Sequence, residues 1–296
     1  MLLSAEHLTK YYPLRASIFS RARACVRALE DVSFRLPEQH SLGVMGESGS
    51  GKTTLARLLA NLIAPTRGTL SFSPAISDRT KDIQIISQNP WEALDPRMTI
   101  GQSLKEPLII HRMNDIRDRL RRSLDLVGLD RHCLNRLPHE FSGGQRQRIV
   151  IARAMSCGPK ILVCDEPTSS LDISVQAQIL NLLLDLKEQQ KLSLIFITHD
   201  ARLLPVISDS ILVLHSGIMV ERGPREAVLN KPLHPYTRQL MTLSKLHEKP
   251  QAARGAGGAG CPFWQVCSLK KTECSEHLPE IVQISPEHWV RCCHFL

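Results

Sequence analysis

Gly46-Glu47-Ser48-Gly49-Ser50-Gly51-Lys52-Thr53-Thr54 decides the reading of this chain, because it satisfies the phosphate-loop pattern G-x-x-x-x-G-K-[ST] without a substitution. Leu42, Gly43, Val44 and Met45 precede it as a short apolar run, and Leu55, Leu58, Leu59 and Leu62 follow at helical spacing. The stretch therefore reads as strand, loop and helix. Glycines let backbone N–H groups turn inward around phosphate oxygens, and the new helix offers its positive end to the same anion. Lys52 is placed to reach the β- and γ-phosphates, and the Thr53 hydroxyl to take one Mg²⁺ position. A nucleoside triphosphate site is expected here.

The chain of 296 residues has room for one large α/β domain and a small appendage. Its net charge of +8 comes from 37 basic against 29 acidic residues. The excess is scattered over arginines without interleaved aromatics, so it reads as solvated surface rather than a nucleic-acid platform. No apolar run approaches the roughly 18 residues that span a bilayer, and the first residues lack a secretion signal. A cytosolic protein, docked on a membrane protein, is expected. In that compartment the nine cysteines suggest thiols or metal ligation before disulfides.

Outward from the loop, residues 2–8 and 26–36 read as antiparallel strand pieces, joined through Tyr11-Tyr12-Pro13 and a basic loop at residues 15–27. On spacing, Tyr12 packs on the sheet or stacks on a base ring, with packing preferred. Residues 69–72 resemble an edge strand, and residues 83–87 a short buried strand ending at Gln88. Residues 89–138 turn helical, with a stop at Gly128. Ser142-Gly143-Gly144-Gln145 opens another helix. Ile161-Leu162-Val163-Cys164 is continuously apolar, as a central parallel strand requires, and runs into Asp165-Glu166. An amphipathic helix through Val175, Ile179, Leu182, Leu183 and Leu186 follows, then strands at 193–197, ending at His199, and at 211–214. The alternation indicates a mostly parallel, helix-covered sheet.

Strand ends of such a sheet open on one crevice. Gly46, Gln88, Asp165 and His199 each stand at or just past one. If the strands are neighbours, Asp165 holds Mg²⁺, Glu166 orients and activates the attacking water, Gln88 bridges metal and water, and His199 contacts the γ-phosphate.

Phe141-Ser142-Gly143-Gly144-Gln145 resembles the signature of the ATP-binding cassette (ABC) ATPases. Gln88, residues 161–166, Ser170-Leu171-Asp172 and His199 are similar to that family's Q-loop, Walker B, D-loop and H-loop in order. The resemblance covers residues 1–244 and implies head-to-tail dimers. Ser142, Gly143, Gly144 and Gln145 of one chain, with Asp172, would then meet the triphosphate bound by Lys52 of the other. It also makes Tyr12 the aromatic that stacks on adenine, against the packing preference, with Tyr11 the alternative.

Gln88-Asn89-Pro90, Leu94-Asp95-Pro96-Arg97-Met98-Thr99, Ser174-Val175-Gln176-Ala177-Gln178 and His234-Pro235-Tyr236-Thr237 narrow the resemblance to the oligopeptide/dipeptide/nickel importer ATPases. The long basic loop resembles the F-type member of their subunit pairs. Implied partners are a second ABC ATPase subunit, two membrane permeases and a substrate-binding protein. The place implied is the cytoplasmic face of the inner membrane. Residues 72–83 run shorter than the family pattern, which puts the edge strands there in doubt. The rival class is a non-transport ABC ATPase acting on nucleic acid or the ribosome; it usually carries a long coiled-coil insertion or a second cassette, and neither is visible.

The domain division expected is a cassette at 1–245, with its helical subdomain at 89–157, a Gly-rich flexible linker at 246–260 and a cysteine-rich extension at 261–296. In the extension the spacing is Cys261-x₅-Cys267-x₆-Cys274, then Cys292-Cys293. Free thiols, zinc and an iron–sulfur cluster all remain open on spacing. The resemblance to peptide-importer ATPases implies a [4Fe–4S] cluster on Cys261, Cys267, Cys274 and Cys293, with Cys292 the rival fourth ligand. Cys25, Cys133, Cys157 and Cys164 read as ordinary packing or surface residues.

Overall fold

The computed structural model describes residues 1–13, 25–246 and 260–295. Most of the basic loop and of the Gly-rich connection expected from the sequence lies outside the described residues. The first half of the chain comprises β1 (Leu3–Pro13), β2 (Cys25–Leu36), β3 (Ser41–Met45), α1 (Lys52–Leu59), β4 (Arg67–Phe72), α2 (Arg79–Asp82) and β5 (Ile83–Ile86). Helices α3 (Pro90–Ala93), α4 (Ile100–Ile110), α5 (Ile116–Leu126) and α6 (Gly143–Ser156) come next. Then follow β6 (Ile161–Asp165), α7 (Ile173–Gln190), β7 (Ser193–Thr198), α8 (Leu204–Ile207), β8 (Ser210–His215) and β9 (Ile218–Pro224). The chain finishes with α9 (Arg225–Asn230), α10 (Pro235–Leu246), α11 (Glu273–Glu276), β10 (Val282–Ser285) and β11 (His288–Val290).

The strands run in the order β4-β1-β2-β9-β8-β3-β7-β6-β5. From β8 to β5 every pairing is parallel. Every residue of β3, β6 and β7 is buried, which is why these strands read as unbroken apolar runs. β5 is the outermost strand of that path. Its Gln84 and Ile85 are only half-buried, so the buried strand expected there is an edge strand, and it stops at Ile86. β1, β2 and β4 form the expected antiparallel flank, with Leu3 registered against both Leu36 and Phe72. The edge strand expected at 69–72 is present as β4, and the short segment after it, where further edge strands were in doubt, folds into α2, capped by the Asp78 side chain on Thr80 N–H.

Three apolar clusters set where these layers sit. Leu55, Leu58 and Leu59 of α1 share one with Leu3, Leu29 and Phe34 of the flank and Val163 and Ile197 of the central strands. Burial of each such leucine is worth about 2 kcal/mol, so the helix behind the phosphate loop is held from both sides. A second cluster joins Leu124, Phe141 and Ile149 of the helical subdomain to Leu183 and Leu186 of α7. α5 ends where expected: Gly128 adopts φ 67° and its N–H bonds Asp125 O, while Leu129 N–H reaches Leu124 O.

The third cluster had no counterpart in the pattern analysis. It gathers Met45, Ile211, Val213, Val220, Tyr236 and Phe263, with Cys261 and Cys267 against it. The cysteine-bearing extension packs directly on the cassette, and β11 lengthens its sheet by pairing Trp289 with Arg222 and Val290 with Glu221 of β9.

Candidate functional site

β3 ends at Met45 and the chain turns through the phosphate loop into α1. Gly51 caps that helix at φ 102°, and a Cβ there would lie 2.5 Å from Ala28 O, so both conformation and space exclude a side chain. Lys52, 5% exposed, donates from Nζ to Gly46 O and Glu47 O at 2.8 Å each. Its Nζ also lies 3.7 Å from Glu166 Oε1. Burial lowers the Lys52 pKa, while Glu166 and Asp165 pull it back up.

Strand register assembles the remaining groups. Met45 pairs with Thr198, Asp165 with Ile197 and Ile86 with Cys164, so the carboxyl ends of β3, β7, β6 and β5 lie at one level. Gly46, His199, Glu166 and Gln88 therefore leave neighbouring strands on the same side. They meet on one carboxylate: Glu166 Oε2 lies 2.9 Å from His199 Nδ1 and accepts from Gln88 Nε2 at 3.3 Å. Burial alone would raise the Glu166 pKa, but His199 and Lys52 outweigh it and leave it below the usual value. The Glu166 hydrogen bond in turn raises His199 above the usual imidazole value, against the opposing effect of burial.

Asp165 is 4% exposed, and its Oδ1 has no hydrogen-bond partner. Burial raises its pKa, and a hydrogen bond from the Thr53 hydroxyl draws it back. A buried carboxylate oxygen without a donor, beside a hydroxyl at the first turn of α1, fits the chemistry of a hard divalent cation. Asp165, Thr53 and Gln88 are the residues that could hold one.

Residues Gly46, Glu47, Ser48, Gly49, Gly51, Lys52, Thr53, Thr54, Gln88, Glu166 and His199 line one cavity of about 530 Å³, within the size range of small-ligand sites. Ser50 is buried beneath the loop. Val26, Arg27, Ala28 and Leu240 add a wall that sequence reasoning did not assign. Tyr12 stands one strand away, registered against Val26, with Lys10 Nζ 5.3 Å from its ring centre. Ser142, Gly143, Gln145 and Asp172 are exposed and do not line the cavity. Ser142 and Gln145 form a reciprocal capping box that opens α6, and Gly144 packs beneath Val175 of α7.

In the extension, Cys261, Cys267, Cys274, Cys292 and Cys293 line a second, small pocket walled by Phe263, Trp264 and Pro279. Burial, then the neighbouring Cys274, Cys292 and Cys267, push the Cys261 thiol up to about 11. Cys292 is half-buried among these sulfurs, whereas Cys293 is exposed beside Cys274. Among the described residues no three His, Cys, Asp or Glu side chains come close enough to share a single metal ion.

Family models match the chain twice: one described as ABC transporter over residues 29–169, and one as the C-terminal region of oligopeptide/dipeptide transporters over residues 220–274. The oligopeptide transport ATP-binding protein AppF of Bacillus subtilis is 36% identical, over 98% of this chain and 96% of its own length. The dipeptide transport ATP-binding protein DppF of Haemophilus influenzae is 38% identical, over 99% of this chain and 96% of its own. Among solved structures, the dimeric post-hydrolysis state of the ATP-binding cassette MJ0796 bound to ADP and Pi aligns with a TM-score of 0.64 and 26% identity. It covers 76% of this chain and 99% of that one.

Proposed function

The chain belongs to the ABC transporter ATPases, and from that premise we propose that it is the ATP-hydrolysing subunit of an importer for di- or oligopeptides, or a related small solute. The observation that carries the reading is the meeting of Lys52, Gln88, Glu166 and His199 at one cavity from four separate segments. Loop N–H groups between Gly46 and Thr54 and the Lys52 ammonium receive the phosphates, and Tyr12 stacks on the base. Thr53, Asp165 and Gln88 would hold Mg²⁺, which supplies charge neutralisation on the phosphate oxygens when bound. Glu166, kept ionised by His199 and Lys52, orients a water and takes its proton as the water oxygen bonds to the γ-phosphorus. The bond from that phosphorus to the β,γ-bridging oxygen breaks, and ADP leaves with the electron pair. Ser142, Gly143, Gly144, Gln145 and Asp172 serve the cavity of a second subunit, in a heterodimer beneath two permeases fed by a binding protein.

Movement passes from Gln88 into the helical subdomain at residues 89–157, which rests on a permease. Peripheral attachment to the cytoplasmic face of the inner membrane follows from that reading. Among the described residues no helix is long and apolar enough to cross a membrane. We divide the chain into the cassette at 1–245, a connection at 246–260 and the extension at 261–296. Replacing Glu166 with Gln tests the chemistry: ATP binding persists and hydrolysis falls about 10²- to 10⁴-fold. Hydrolysis at the wild-type rate would remove Glu166 from its role.

For the extension, thiolate ligation of an iron–sulfur cluster, which would supply an electron-accepting or structural centre when bound, is the reading that the donor set supports. Cys261, Cys267 and Cys274 supply three ligands. The half-buried Cys292 is a better fourth than the exposed Cys293. Anaerobically purified protein is expected to absorb broadly at about 400 nm, as sulfur-to-iron charge transfer does. Cys292→Ser should abolish the band and Cys293→Ser should keep it. Colourless protein carrying stoichiometric zinc would overturn the cluster.

A further inference from the structure

The turn His234-Pro235-Tyr236-Thr237 takes no part in the chemistry assigned above, yet His234 is 1% exposed and Tyr236 and Thr237 are fully buried. Polar groups are held this deep when something specific fixes them. The Glu221 carboxylate, also fully buried, accepts from Leu233 N–H and His234 N–H at 2.9 Å each. His234 Nδ1 then accepts from Tyr236 N–H at 3.1 Å. The clamp aims one side chain. Tyr236 Oη accepts from the backbone N–H of Glu47, the second residue of the phosphate loop, at 3.1 Å.

On its other side the Tyr236 ring lies edge-on to Phe263, with centroids 5.4 Å apart. Phe263, two residues beyond Cys261, walls the cysteine pocket together with His234. Met45, the residue just ahead of the loop, belongs to the same apolar cluster as Tyr236 and Phe263. One packed path thus runs from the cysteine pocket through two aromatic rings to a backbone donor of the phosphate loop.

We propose that Tyr236 is a positioning residue for the phosphate loop, and that the cysteine lobe, acting through Phe263, sets how firmly Tyr236 holds Glu47. The proposal rests on the nucleotide-site reading. Its two arrangements are the Tyr236 hydroxyl on or off the Glu47 N–H. Any state of the lobe that favours the first preorganises the loop, and nucleotide bound at the loop must favour the same lobe state in return.

Tyr236→Phe in the full chain keeps the ring and removes the acceptor. Hydrogen exchange at the Glu47 amide should speed up, and a fluorescent ATP analogue should bind about three- to tenfold more weakly, the scale of one lost buried partner. Phe263→Leu should move both readouts in the same direction. The double variant should depart from additivity, as residues on one path do. Unchanged exchange and affinity in Tyr236→Phe would overturn the positioning role, and strictly additive effects would overturn the link to the lobe. If Tyr236→Phe does not fold, Phe263→Leu decides alone, by the Glu47 exchange rate. A wild-type chain that binds no ATP analogue would sink the nucleotide-site reading instead. The exchange measurement, which needs no nucleotide, would still judge Tyr236.

Discussion

Glu166 sits at φ 47°, in the left-handed region that a non-glycine residue occupies only when its surroundings hold it there. Its holders are Gln88, His199 and Lys52, all directed at one carboxylate. Because the Glu166 hydrogen bond is the largest cause of the raised His199 pKa, an NMR titration should place His199 above about 6.5, the unperturbed value. In Glu166→Gln burial and Lys52 lower the value against Asp200 alone, so it should fall. A His199 titration unmoved by the substitution would contradict the pairing. The sign for stability follows. The raised His199 contributes fully below about pH 6.5 and is lost as pH climbs through its folded value. The lowered Glu166 contributes above about pH 4.3 and is lost as pH falls through its folded value. The pair is thus intact between those limits. Glu166 and His199 were both legible as residues just past strand ends. That a single carboxylate gathers three partners was not, because sequence separation carries no distance.

At the scale of elements, α6 and α7 meet through glycine. A Cβ on Gly144 would approach Val175 Cγ1 to 2.6 Å, closer than real contacts allow. Gly144→Ala should therefore displace the start of α7 and destabilise the chain by about 1–3 kcal/mol, the usual scale of overpacking, measured by denaturant unfolding. Stability within error of wild type would mean that α7 gives way freely. The helices themselves were readable from their periodicity and end signals: Ser142 and Gln145 box α6, and Gly128 ends α5. β9, α9 and the tail strands escaped the pattern although β9 folds back on the adjacent β8 and β10 on β11, because they are short and carry no sustained apolar period; only the β9–β11 and β9–β2 pairings join distant segments. Glu221, a fully buried carboxylate in β9, makes sense only beside the His288 ring 2.9 Å away and the turn that precedes α10.

For the whole molecule, the exposed signature residues, none of them lining the Lys52 cavity of their own chain, set an expectation about assembly. Ile173, next to Asp172, is 85% exposed, an apolar group with no cover in the single chain. With ATP and Mg²⁺, the Glu166→Gln chain paired with its sibling ATPase, or with itself, should elute at twice the size of the apo form. Ser142→Arg should abolish that shift while leaving ATP binding to the monomer intact. A monomer under both conditions would remove the shared-site arrangement.

By itself the sequence determined the chemistry and the class of fold. The phosphate loop, the apolar run into Asp165-Glu166 and the signature turn are local patterns, and local backbone sterics and side-chain periodicity suffice to read them. Only the tertiary structure decided which strand ends are neighbours and that β5 is an edge. It also decided that Tyr236 reaches Glu47 across 189 positions. Such contacts are products of sheet order and burial, which depend on the packing of the whole chain and leave no mark in the spacing of residues along it.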